Sequence, residues 1–199
     1  MDAGPILHAD AAAPHERASD DALMRRVGAG DAGAFQTLVD VHAKRPHRIA
    51  WRMLGDASEA EDVAQEAFLR LWKDAPRWNA RPETMGAGVG AWLARVATNL
   101  CLDRLRRRAR LSDGEVPDRA DPAPLADEAV GAGQDRARVR AALDTLPERQ
   151  RAAVVLTYYE DLPNAEAAAV LDMNIKAFES LLLRARRALR ERLAETDDV

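Results

Sequence analysis

Residues 164–193, NAEAAAVLDMNIKAFESLLLRARRALRERL, decide how the rest of the chain is read. Asn164–Leu171 has the composition of a short helix, Asp172-Met173-Asn174 that of a tight turn, and a longer helix begins near Ile175. Two helices joined by a three-residue turn form a helix-turn-helix, although the glycine usual in such turns is missing here. Advancing about 100° per residue puts Ile175, Phe178, Leu182, Ala185, Leu189 and Leu193 on one side, a core face. Lys176, Glu179, Ser180, Leu183, Arg184, Arg187 and Arg190 fall on the other, with Arg186 at its edge. A surface helix with a solvated basic side fits this pattern. A recognition helix in a DNA major groove fits it as well. There the arginines hold phosphates or guanines, Ser180 and Glu179 reach base edges, and Leu183 meets a thymine methyl.

The whole chain narrows the choice. Its 199 residues suffice for one large or two small domains, and 47% of them are hydrophobic with few aromatics, which favours helices. A formal net charge of −4 argues against a protein that coats nucleic acid indiscriminately, so any DNA contact must come from local patches. The lone Cys101 excludes an internal disulfide framework and suits a reducing cytoplasm. No apolar run approaches the roughly 18–20 residues needed to span a bilayer, so no membrane insertion is expected.

Working back toward the N-terminus, residues 1–19 lack periodicity and read as a flexible tail. A helix is expected from Asp21 to Ala29, ended by the Gly28/Gly30 pair, and Asp31 is placed to cap the next. Pro46 is expected to kink or break that second helix before Ile49–Leu54 resumes it. Ser58 with Glu61 three residues on reads as a capping box for a longer helix. On its wheel Val63, Ala64, Ala67, Phe68, Leu71 and Trp72 are inside, while Asp62, Gln65, Glu66, Leu69 and Lys73 form the exposed stripe. An acidic and amide stripe around a leucine repels phosphate, so a partner there is expected to be protein; an ordinary solvated face is the alternative.

Pro76 ends that helix and Trp78–Gly90 reads as a loop. The run AWLARVATNLCLDRLRRRAR, residues 91–110, is helical, with Trp92, Arg95, Asn99, Asp103, Arg106 and Arg110 in one narrow stripe. Five arginines, Arg104, Arg106, Arg107, Arg108 and Arg110, crowd its end. Aromatic, amide and cationic groups on one face suit joint contact with bases and backbone. Arginines satisfying a helix's own terminal carbonyls are the plainer reading, but that role does not call for five. Residues 111–134 then turn rich in Pro, Asp, Ala and Gly and read as an acidic linker between two domains, 20–110 and 135–195. Fully stretched, about 24 residues at ~3.3 Å reach about 80 Å, enough to separate two DNA-contacting domains by roughly two helical turns, ~70 Å. Beyond it come helices over Asp135–Thr145 and from Leu146-Pro147-Glu148, then the loop 160–163 before the hairpin.

Taken in order, these segments resemble bacterial RNA polymerase sigma factors of the extracytoplasmic-function (ECF) group, over roughly residues 20–193. GDAGAFQTLVDVH, RMLGDASEAEDVAQEAFLRLW and AWLARVATNLCLDRLRRRAR are similar to that family's region 2. LPERQRAAVVLTYYEDLPNAEAAAVLDMNIKAFESLLLRARRALRERL is similar to region 4. The resemblance implies an all-α fold of two helical domains, no catalysis and no cofactor. It implies that Asp62, Gln65, Glu66 and Leu69 dock on the clamp helices of the polymerase largest subunit, with the flap of the second-largest subunit as a further contact. Trp92, Arg95, Asn99, Asp103, Arg106, Arg107 and Arg110 are then expected to recognise and help open the minus-ten promoter element. Asn99 is the expected base-edge contact, since an unstacked base must be held while the duplex melts. Lys176, Glu179, Ser180, Leu183, Arg184, Arg186 and Arg187 are expected to read the minus-thirty-five element. An anti-sigma partner is also implied.

Two departures from the family pattern stand out. Glu179 occupies a position often basic in the family, and an acid there favours a cytosine amine over a guanine. Pro163 and Asp172 replace the usual helix cap and turn glycine, which predicts a less well capped hairpin. A free-standing operator-binding regulator, usually dimeric on two half-sites, is disfavoured by the lack of coiled-coil heptads and by two different DNA faces. An enzyme is disfavoured further. His42, His47 and Asp40 make an incomplete metal set, Glu61, Asp62 and Glu66 an exposed ladder, and no phosphate loop is present.

Overall fold

The computed structural model describes residues 14–80, 88–111 and 133–197, and among these no strand occurs. The N-terminal half comprises α1 (Pro14–Gly28), α2 (Ala32–His42), α3 (Lys44–Leu54), α4 (Ala57–Asp74) and α5 (Gly88–Leu111), with a 3₁₀ turn at Ala75–Ala80. The C-terminal half comprises α6 (Gly133–Asp144), α7 (Glu148–Val154) running into a π turn at Val155–Tyr159, α8 (Asn164–Val170) and α9 (Ile175–Asp197). Residues 1–13, most of the expected linker and the loop core at 81–87 lie outside the described residues.

Several helix boundaries follow the local chemistry of the sequence. Asp31 caps α2, its Oδ1 accepting the Ala34 N–H at 3.0 Å; that bond and the Arg26 guanidinium hold the Asp31 carboxyl below its usual range. Past α1, Gly30 adopts φ +89°, and the Gly30 and Asp31 amides return to Val27 and Arg26, a Schellman closure. Three expectations are corrected. α1 begins at Pro14, seven residues before Asp21. The cap of α4 is Asp56, whose Oδ1 accepts the Glu59 N–H at 2.8 Å, and Ser58 sits inside the first turn. The second helix breaks at Ala43, and Pro46 is buried in the first turn of α3, where its missing N–H costs nothing.

One apolar cluster joins Met24 and Val27 of α1 with Leu38 of α2, Phe68 and Leu71 of α4 and Val89 and Leu93 of α5. Trp78, expected in a loop, is buried here and its Nε1–H donates to Asp21 at 3.2 Å. A second cluster runs without interruption from Ile49, Met53 and Leu54 of α3 and Ala97, Cys101 and Leu102 of α5 to Leu143, Leu146, Val155, Leu156, Phe178 and Leu182. The two halves therefore share a core.

The C-terminus of α3 organises that junction. A helix leaves its last carbonyls without intrahelical partners, and here arginines supply Met53 and Leu54 while a third adds to the Gly55 N–H already on Trp51, the three coming from three other helices. Arg140 Nη1 donates to the Trp51 carbonyl at 2.9 Å, Arg151 Nη1 to Met53 at 2.7 Å, and Arg108 Nη1 to Leu54 at 3.2 Å. Gly55 follows with φ +73°, and a Cβ there would collide with the Arg140 guanidinium. Arg151 is buried and also bonds the Asp144 carbonyl at 2.7 Å and its carboxylate at 3.0 Å. Farther along, Glu160 (side chain 1% exposed) receives Arg48 through two bonds of 3.1 and 2.8 Å and Arg45 at 3.3 Å. The π turn brings consecutive residues onto α3: the Arg52 guanidinium lies 3.8 Å from the Tyr159 ring centre, beside Glu160.

Replacing Arg151 with alanine takes one of two guanidinium groups from the Asp144 carboxylate, which keeps Arg140, and removes the side-chain donor to the Met53 and Asp144 carbonyls. Urea titration is expected to show a loss of about 3 kcal/mol or more. Cys101, whose thiol burial pushes up to about 12 from 9.0, is expected to resist iodoacetamide in the folded protein. Because the unfolded thiol ionises first, this group's contribution is expected to fall away as pH rises from about 9 toward 12, read from denaturation midpoints against a Cys101→Ala control.

Candidate nucleic-acid and polymerase interfaces

The acidic stripe of α4 forms as its periodicity predicts. Asp62, Gln65 and Leu69 are exposed on one side, with Leu69 at 52%. Glu66 is tied to Arg70 one turn on at 2.9 Å, so its charge is partly neutralised along the helix. This stripe borders a groove of about 420 Å³ whose other wall is α5, including Leu100, Asp103, Arg104 and Arg107. Two sets of residues assigned separately from sequence thus share one groove.

On α5, Asn99, Asp103, Arg107 and Arg110 are exposed. Trp92 is half-buried and meets Trp78 edge-on, with centroids 6.2 Å apart at 66°. A crevice of about 360 Å³ runs along Trp92, Arg95, Val96 and Asn99 and is closed by Arg70, Lys73 and Asp74 of α4. Sequence reading did not connect Arg70 and Lys73 with this stripe. Their i, i+3 spacing in the last turns of α4 was visible, but their facing α5 depends on how the two helices pack.

The arginine cluster at the end of α5 divides by role. Arg104 Nη1 donates to the Glu59 carbonyl at 2.7 Å, and Arg108 holds the Glu59 carboxylate at 2.6 Å as well as the Leu54 carbonyl. Two of the five therefore serve the fold, bonding terminal groups of neighbouring helices. Arg106 lies 3.5 Å from Asp103 and 3.6 Å from Glu148 of α7, while Arg95 lies 3.6 Å from Asp172 in the hairpin turn. The C-terminal half thus already meets two of the cations read as DNA ligands.

The hairpin itself is well formed. Asp172 takes φ +55°, the left-handed position where a glycine was expected, and the Asp172 and Met173 amides return to Ala169 and Ala168. Pro163 provides no side-chain cap for α8. Asn174 does so for α9, its Oδ1 accepting the Ala177 N–H at 2.9 Å, a cap that sequence reading missed by treating the residue only as turn. Phe178, Leu182 and Ala185 are buried as expected; Ile175 is 40% exposed, and Leu181 takes a core place instead.

The outer face of α9 presents Lys176, Glu179, Ser180, Leu183, Arg184, Arg186 and Arg187, all exposed, with Leu183 at 66%. Ser180 turns its hydroxyl onto the Lys176 carbonyl at 2.9 Å, and Arg187 pairs with Glu191 at 2.9 Å. Each face can do something different: an amphipathic acidic strip for a protein helix, a crevice with indole, amide and cations, and a basic helix standing proud of its hairpin.

Comparisons with known proteins identify the family. The Sigma-70 region 2 family matches residues 38–111 and the Sigma-70, region 4 family matches residues 136–189. The ECF RNA polymerase sigma factor SigK of Mycobacterium ulcerans is 34% identical over 178 residues, spanning 86% of this chain and 93% of that protein. The ECF sigma factor SigE of Mycolicibacterium smegmatis is 36% identical over 173 residues, 83% of this chain and 65% of that longer protein. Among solved structures, CnrH in complex with the cytosolic domain of CnrY matches with a TM-score of 0.63 at 28% identity, covering 89% of this chain and 98% of that one. With regions 2 and 4 both present in that order, the chain belongs to the ECF RNA polymerase sigma factors of the sigma-70 family, which are transcription initiation factors.

Proposed function

We propose that this sigma factor divides its work among three helical faces. The α4 stripe, Asp62, Gln65, Glu66 and Leu69, holds the clamp helices of core RNA polymerase. The α5 stripe, with Trp92, Arg95, Asn99, Asp103, Arg106, Arg107 and Arg110, takes the minus-ten element. The outer face of α9 reads the minus-thirty-five element as duplex. The observation that carries this division is the contrast between an exposed leucine set in carboxylates and amides on α4 and one set in cations on α9. The first surroundings repel phosphate and the second attract it.

Within the minus-ten face, an unstacked base fits the crevice between α4 and α5. It would stack on Trp92 and offer its edge to Asn99, with the backbone on Arg95, Arg70 and Lys73. The protein acts without catalysis or cofactor of its own, in the cytoplasm. No helix among the described residues is long and apolar enough to cross a membrane. By analogy with CnrH, whose structure holds the cytosolic domain of CnrY, an anti-sigma protein restrains it.

Run-off transcription with core polymerase on a genomic fragment library tests the whole assignment. Initiation at defined start sites is expected, and no start-site selection would overturn it. Leu69→Asp is expected to lower core-polymerase affinity at least about tenfold while sparing α9. Arg184→Ala is expected to weaken minus-thirty-five use by about 1–3 kcal/mol without altering polymerase binding. Glu179 is an acceptor-only group in a basic face, matching the cytosine N4 amine and clashing with the O6 and N7 of guanine. Glu179→Arg is therefore expected to shift selection at one minus-thirty-five position from cytosine toward guanine by about 1–3 kcal/mol, read from a randomised promoter library.

A further inference from the structure

We propose that Asp21 is a positioning residue for minus-ten recognition: through the indole of Trp78 it fixes the orientation of Trp92, the ring on which an unstacked base is to lie. The inference deepens the assignment of the crevice between α4 and α5 to minus-ten DNA and rests on it. Asp21 belongs to α1, ahead of residue 38, where the region 2 match begins. It does not line the crevice, so its effect must pass through another side chain.

The chain of contacts is short. An aromatic ring holds a base well only if the ring is already held, because ordering it on binding gives back part of the stacking free energy. Trp92 lines the crevice and meets Trp78 edge-on, with centroids 6.2 Å apart. Such a contact is directional, so the plane of one indole constrains that of the other. Trp78 is buried, and its Nε1–H donates to Asp21 Oδ1 at 3.2 Å. An indole carries a single donor, so this bond selects one orientation of the ring. In the reversed orientation the N–H would lose the carboxylate inside an apolar cluster.

The helix that carries Asp21 is fastened on both flanks of the ring pair. Gly28 of α1 lies so close to the turn bearing Trp78 that a Cβ would stand 2.9 Å from the Ala75 carbonyl oxygen. Met24, one turn after Asp21 and fully buried, shares a cluster with Trp78, Val89 and Leu93. The neighbouring Asp20 is turned about 100° round the helix and faces elsewhere. Its Oδ2 accepts the His42 Nε2–H at 2.9 Å, and the His42 imidazole stands under the first turn of α5, its Nδ1 3.6 Å from where a Gly90 Cβ would be. Trp92 follows two residues later. Two adjacent carboxylates thus tie α1 to the turn bearing one indole and to the floor beneath the helix bearing the other, and Asp21 is the one bonded to the ring pair.

The test uses the full chain with core polymerase and a promoter recovered by the run-off experiment. Labelled non-template strands carrying its minus-ten element, with one abasic nucleotide placed at each position in turn, are titrated by fluorescence anisotropy. The wild-type holoenzyme is expected to lose about tenfold or more in affinity where the abasic site removes the stacked base. Asp21→Ala is expected to weaken the intact strand toward the abasic one, cutting that difference to about twofold or less, with the differences at other positions and the affinity for core polymerase unchanged. Asp21→Asn, whose amide oxygen still accepts the indole N–H, is expected to restore the wild-type pattern. Trp78→Phe, which keeps a ring without the N–H, is expected to match Asp21→Ala, and the two together to do no more.

A full abasic penalty in Asp21→Ala would overturn the inference, as would an equal loss at every position, which a general weakening of the domain would produce. So would a failure of Asp21→Asn to restore the pattern. A wild-type holoenzyme with no abasic-sensitive position would overturn the reading of the crevice itself, and the role of Asp21 with it.

Discussion

The last turn of α3 is the point on which this structure depends. Helix termini are expensive to bury because their backbone groups lack partners. The carbonyls of Met53 and Leu54 would make this junction untenable if it were closed by apolar side chains alone, whereas that of Trp51 already accepts the Gly55 N–H. Three guanidinium groups remove that obstacle and add favourable charge at the negative end of the helix dipole. Arginine suits the role better than lysine, since a planar fork can bond a carbonyl on one prong and another acceptor on the second. Arg151 does this, bridging Met53 and Asp144. Because Arg108 comes from α5 while Arg140 and Arg151 come from α6 and α7, region 2 and region 4 both bond to this one helix end.

Much of the fold could be read from the sequence because it was carried by short-range signals. The wheel of α4 sets Val63, Ala67, Phe68 and Leu71 inside and Leu69 outside, as found. The hairpin, its turn at Asp172 and the exposed Leu183 follow from periodicity and turn chemistry within thirty residues of chain. Capping was less secure. Asp56 and Ser58 are both good cap residues two positions apart, and local preference does not choose between them; the backbone does, through the extended conformation at Asp56. Ile175 was misplaced because a helical wheel assigns faces evenly from the first residue, whereas the opening turn of α9 projects beyond the hairpin core.

What remained illegible was everything fixed by distant partners. Five arginines in seven residues look alike in sequence, yet Arg104 and Arg108 point back at Glu59 and Leu54 while Arg107 and Arg110 face water. Glu160 read as one residue of an acidic loop before a proline. Its burial between Arg45 and Arg48 comes from a contact across more than a hundred residues. The shared core was hidden for the same reason, because the apolar residues that build it look equally suited to two separate bundles. Arg70 and Lys73 belong with Trp92 only once α4 and α5 are laid side by side.

The division of labour among the α5 arginines also bears on how promoter affinity responds to ionic strength. Each phosphate neutralised by a protein cation releases condensed counterions, and on a single strand the logarithm of affinity falls by about 0.7 per contact for each logarithmic unit of salt. Arg104 and Arg108, already bonded to backbone and carboxylate within the domain, have no counterions to displace from nucleic acid. On the proposed assignment of α5 to the minus-ten element, a melted strand would be held with a gentler electrolyte dependence than five clustered arginines imply. More of the grip on it would then fall to stacking and edge recognition, which salt scarcely touches.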